Sequence, residues 1–163
     1  MHKEQIEIIP LNSAGKFKLN EKREIILPKI DFKLRTTRED TFEDNKFIID
    51  DYAEALAYYN QENEKLFYVL FAPLPSYKLI FSNQDLFKLN AQELFDFLNK
   101  SDNDLHIEDY VGFGSTKFGL DIYAPNFTDD PTSSVEAISF AIKGYFDAIY
   151  ACKHLDINKL QKM

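Results

Sequence analysis

The sequence predicts an α+β fold, with two copies of one strand–helix–β-meander unit packed as a single pseudo-twofold domain over residues 1–163. Three observations carry that expectation. Short apolar runs with a period of two recur along the chain, a helix start is clearly marked at Asn90, and several segments repeat about seventy positions apart.

IEIIPL (6–11) and GKFKL (15–19) read as extended, and EKREIIL as a short helix that Pro28 cuts off, because proline disfavours the helical conformation at Leu27. IDFKLRTT (30–37) alternates Ile30, Phe32 and Leu34, as a strand with one wet face does. TREDTFEDN reads as a polar turn. KFIIDDYAEALAYYN then reads as extended, although Ala, Glu and Leu over 51–60 also suit a helix. QENEK is a hairpin turn between that segment and the strand LFYVLFA, and YKLIFS is another strand. Asn90 with Glu93 three positions later forms a variant capping box, and Leu94, Phe95 and Leu98 give the helix its apolar side. SDNDLHIEDYVGFGS is a loop with extended character, KFGLDIYA and VEAISFAIKGYF are strands, and the tail fits a terminal helix. The expected core includes Phe67, Val69, Phe71, Leu94, Leu98, Ile138 and Phe140.

The repetition is ordered. Phe17-Lys18-Leu19-Asn20 returns as Phe87-Lys88-Leu89-Asn90, and residues 45–53 match 116–124 at five of nine positions. Phe71-Ala72 pairs with Phe140-Ala141, sixty-nine positions on. This sets a first repeat at about 10–84, a second at about 85–150 and a C-terminal tail over 151–163, with Phe47 equivalent to Phe118 and Tyr52 to Tyr123.

Fifteen Phe and nine Tyr supply large buried areas to a chain of 163 residues. The charged start is unlike a signal peptide, and no run approaches the roughly 20 apolar residues a membrane span needs. Together with a single cysteine, Cys152, expected to be partly buried, this suits a cytoplasmic protein without disulfides. The net charge of −8 is unevenly spread. Residues 1–38 carry nine Lys or Arg and five acids, whereas residues 39–163 carry ten Lys, no Arg and 22 acids. Most of the chain therefore repels phosphate, which argues against nucleic-acid binding.

No catalytic, cofactor or metal constellation emerges. His2, His106 and His154 lack a His or Cys partner at ligand spacing. GFGS (112–115) lacks the Lys-Ser/Thr and the following helix of a phosphate loop, and its glycines suit a hairpin or bulge. There is no Gly-x-Ser-x-Gly. Asp50 and Asp121 stand out because the repeat places them equivalently within strands. The acids that form candidate partner-binding sets are Glu39, Asp40, Glu43 and Asp44 in one half, and Asp102, Asp104, Glu108 and Asp109 in the other.

Pro10, Gly15 and Glu24 fall in register with the pattern P-x-x-x-x-G-x-I-x-F-G-M-[ST]-x-E-E-[VI], with Phe17 substituting for its isoleucine and Ile25 one position before its final [VI]. On these residues the chain resembles a group of small bacterial immunity-type proteins, with the Gly-Met pair absent. LFYVLFAP, YKLIFSNQDLFKLNAQELFDFL and GLDIYAPN extend the likeness over most of the chain. The resemblance implies a non-enzymatic, cytoplasmic protein that binds and neutralises a cognate toxin, with no cofactor. The acid excess suits a basic protein partner, because complementary charge speeds encounter. The alternative is a small-molecule binder or hydrolase that uses a cleft between the repeats.

Overall fold

The structure is a computed structural model and describes residues 3–163; His2 lies outside them. Its described residues are mostly β, which corrects the α+β expectation: among them thirteen strands form one sheet of five and one of eight, and the longest helix has nine residues.

The smaller sheet holds β1 (Glu4–Ile9), β2 (Ser13–Ala14), β3 (Phe17–Lys18), β8 (Tyr77–Phe81) and β9 (Gln84–Asp85), in the order β3-β2-β1-β8-β9. Its centre is a parallel pair, with Ile6 opposite Leu79. The larger sheet contains two antiparallel meanders. The first runs through β4 (Leu34–Phe42), β5 (Asn45–Tyr52), β6 (Ala55–Asn60) and β7 (Leu66–Phe71). The second runs through β10 (His106–Glu108), β11 (Gly112–Ser115), β12 (Leu120–Tyr123) and β13 (Ala137–Ala141). They join where β13 lies antiparallel to β7, with Phe140 opposite Val69 and Ile138 opposite Phe71. β4 and β10 are therefore the outermost strands at the two ends.

The helices are short. α1 (Arg23–Ile26) passes into a 3-10 turn at Leu27–Lys29 where Pro28 enters. α2 (Ala91–Asn99) starts as expected: Asn90 Oδ1 accepts the Glu93 N–H at 2.9 Å, and Glu93 Oε1 accepts the Asn90 N–H at 3.0 Å. α3 (Tyr145–Tyr150) and α4 (Ile157–Gln161) replace the single terminal helix. No helix among the described residues is long and apolar enough to cross a membrane.

The elements form three layers. Phe17 of β3 meets Tyr52 and Phe71 edge-on at 6.0 Å, and Phe95 of α2 meets Phe113, so the smaller sheet and α2 cover one face of the larger sheet. Tyr145 of α3 packs on Phe67 and Tyr68 on the opposite face, and Leu155 and Ile157 are buried beside the β4–β5 end. All seven expected core residues are buried to 1% exposure or less. Cys152, by contrast, is exposed.

The matched segments do not mark equivalent places. Residues 45–53 cover β5, the second strand of its meander, whereas 116–124 cover a turn and β12, the third strand of the other. Phe17 lies in a strand and Phe87 in a 3-10 turn, so only the Phe71 and Phe140 match falls on corresponding last strands.

Candidate functional site

The two sets of candidate acids lie at opposite edges of the larger sheet. Glu39 and Asp40 are on β4, and Glu43 and Asp44 form the turn that leads into β5. Asp102, Asp104, Glu108 and Asp109 surround β10 at the other end. They do not make one surface.

Several have local roles. Asp102 is buried, accepting the Ser115 hydroxyl at 2.6 Å and the Asp104 N–H at 3.1 Å, and so pins the loop after α2 to β11. Glu43 Oε2 accepts the Leu155 N–H at 3.0 Å and lies 2.9 Å from His154 Nδ1, while Asp44 stands 3.6 Å from His154 Nε2. The hairpin tip thus holds the C-terminal segment. Asp109 accepts a long hydrogen bond from Thr128, and Glu108 stands 3.9 Å from His106.

Glu39 and Asp40 have a different setting. Residues 37–42, expected as a turn, continue β4, and all nine residues of this strand are exposed. Among the described residues no strand pairs with its outer side. The β4–β5 pairs run without interruption from Thr36 with Asp51 to Phe42 with Asn45, and a bulge interrupts them between Leu34 and Thr36. Asp40 Oδ1 accepts the Thr41 N–H at 2.8 Å, so that N–H faces away from β5. By the alternation of an antiparallel ladder, residues 37, 39 and 41 turn their main-chain groups outward. Four charges at 35, 38, 39 and 40 protect this edge from indiscriminate pairing.

Next to the edge, Glu39, Asp40, Thr41, Lys46 and Gln61 line a depression of about 380 Å³. It shares Lys46 and Gln61 with a trough of about 450 Å³ that adds Asp44, Glu62 and the amides of Asn45, Asn60 and Asn158. Four acidic residues and one lysine line the two hollows. The amides are tied into the fold: Asn60 donates to Asn158 and Gln161, and Asn45 both donates to the Leu155 carbonyl and accepts the Ile157 N–H.

Two polar clusters inside the protein came from Asp50 and Asp121, which are not equivalent. Asp50 is fully buried on β5. Arg23 Nε and Nη2 donate to its two oxygens at 2.8 and 2.9 Å, and Thr37 Oγ1 donates at 2.8 Å. Burial, with a contribution from Asp50, pushes the nearby Tyr52 phenol up to about 12 and raises that of Tyr59 further, so both remain neutral. Asp121 lies on β12 opposite Ser139, accepts a hydrogen bond from the Tyr150 hydroxyl of α3, and is raised above the usual carboxylate range chiefly by burial. His106 stacks on Tyr150 at 4.0 Å. Gly114 makes this possible, because a Cβ there would collide with the Tyr150 hydroxyl. Helix α3 closes over this second cluster and Arg23 fills its fork on Asp50, so both serve the fold.

A hollow of about 430 Å³ near the start of α2 has one ring, Phe87, and one carboxylate, Glu93, already engaged in capping. It is not the aromatic, carboxylate-bearing cleft that the alternative reading needs. Among the described residues no group of three or more His, Cys, Asp or Glu is placed to hold a metal ion. No family model, curated protein or solved structure matches this chain.

Proposed function

We propose that this chain is a non-enzymatic protein-binding module, of the kind that neutralises a toxin by occupying it, and that it docks an extended basic segment of its partner along β4. The observation that carries this reading is the fully exposed nine-residue edge strand beside an acidic trough. Strand addition obtains affinity from main-chain hydrogen bonds and specificity from alternate side chains. Residues 37, 39 and 41 supply the first, and Glu39, Asp40, Asp44 and Glu62 favour Lys or Arg for the second.

A random-peptide display selection tests it. Selection on the wild-type protein should enrich sequences with Lys or Arg at alternate positions, with binding that weakens as salt rises and is lost in an E39K/D40K variant that retains its circular dichroism. Peptides that bind this variant as well as wild type, or no enrichment at all, would overturn the reading.

A further inference from the structure

We infer that a second copy of this chain docks on β4, joining two eight-stranded sheets across a twofold axis at Glu39. The inference rests on the reading of β4 as a docking edge and gives it a second occupant, which competes with the partner's basic segment for the same main-chain groups.

The register follows from the strand itself. The regular run covers 36–42, bounded by the bulge between Leu34 and Thr36 and by the turn at Glu43 and Asp44. Two identical antiparallel strands related by an axis through the sheet pair residues whose numbers have an even sum, because directly opposed side chains share a face. Outward-facing residues 37, 39 and 41 must also meet one another. Centring the axis on Glu39 satisfies both conditions and pairs the whole run, whereas any shift leaves residues at its ends unmatched.

In this register Arg38 stands opposite Asp40 of the second copy, and Asp40 opposite its Arg38. Thr37 meets Thr41 and Thr36 meets Phe42, each twice. Threonine pairs and opposite charges across strands are favourable. The opposed term is Glu39 beside its twin at the axis, a single pair against two attractive ones. Arg38 already turns toward a carboxylate, Asp51, at 3.5 Å and is half exposed, so it is free to reorient. Asp40 currently satisfies the Thr41 N–H. On pairing, that N–H takes the Thr37 carbonyl of the second copy, and Asp40 is released to meet Arg38. The free edge and the paired edge thus use the same carboxylate in alternative bonds.

Sedimentation velocity over a wide range of protein concentration tests this. Wild type should move from monomer to dimer as concentration rises. R38D and D40R should each remain monomeric, since both replace two attractive pairs by two repulsive ones. The combined R38D/D40R exchange restores opposite charges and should recover dimerisation. A wild type that stays monomeric, a dimer indifferent to both single changes, or a folded double variant that fails to recover would each overturn the inference. If wild type stays monomeric while display still enriches basic peptides that E39K/D40K rejects, the dimer falls and the docking edge stands. If both experiments fail, the docking edge falls with it.

Discussion

Arg23 and Asp50 are drawn from a short helix and the strand next to the β4 edge, and their forked hydrogen bonds tie the first helix to the larger sheet. Asp50 is inaccessible to solvent, and its two oxygens are held by Arg23 and Thr37. Removing one member of a buried pair leaves the other uncompensated, at about 3–5 kcal/mol. Arg23→Ala should therefore lower the urea midpoint substantially, and Arg23→Lys should recover only part, because an ammonium cannot reproduce the fork. Equal midpoints for wild type and Arg23→Ala would remove Asp50 from the list of stabilising groups. Asp121 acts in the opposite sense. Its folded value is raised above the ordinary 3.8, mainly by burial, with Glu108 raising it further and Tyr150 and His106 lowering it. The folded state therefore holds the proton more tightly than the unfolded one, and stability is greatest below the ordinary value and is lost as pH rises through the folded one. Asp121→Asn keeps an acceptor for Tyr150 but cannot ionise. The difference in melting temperature, variant minus wild type, should become more positive from pH 4 to pH 7. A constant difference across that range would contradict the assignment.

Helix α2 was legible because its signals are local: Asn90 and Glu93 satisfy each other's backbone without help from the rest of the fold. Asn90→Ala should cost about 1 kcal/mol, seen as a lower midpoint with an unchanged denaturant slope. β7 and β13 were legible for a related reason, since strands with both faces covered read as continuous apolar runs. β4 was legible only at its start, residues 34–37. An edge strand exposed along its whole length needs no apolar alternation, and its charges at 38, 39 and 40 imitate a polar turn. The real turn is only Glu43 and Asp44, and Glu43 supplies the positive φ of 54° that a tight reversal requires. Of the candidate site, the acids at 39, 40, 43 and 44 were visible as residue types, but whether each faced a partner or held the C-terminal segment was not. That depends on Leu155 and His154 arriving from more than a hundred residues away. The α+β expectation failed at the same point: helix signals near Arg23 and Asn90 are strong for their length, but the strands hold far more of the chain than the helices do.

At the scale of the whole molecule, the two meanders share one sheet only through the β7–β13 seam. Phe71 and Phe140 lie diagonally across that seam, each fully buried, and Phe71 reaches Phe17 and Tyr77 of the smaller sheet at 6.0 and 6.2 Å. The smaller sheet spans both meanders as well, because β1 precedes the first, β8 precedes the second, and the two strands pair in parallel. Neither meander therefore has a core of its own, and the chain should unfold as one unit despite its two-part order. Phe140→Ala removes a ring from the seam and should cost about 3–5 kcal/mol, from lost transfer energy and the remaining cavity. The loss should appear as a single shifted transition, coincident by far-ultraviolet circular dichroism and by tyrosine fluorescence. A second transition exposed by this substitution would mean that the meanders hold separate cores. An unchanged midpoint would mean that the seam relaxes around the cavity without loss. Since Phe71 and Phe140 are near neighbours in one packed cluster, the double substitution should also depart from the sum of the single ones. Strict additivity would place the two rings in independent parts of the protein and break the argument for one core.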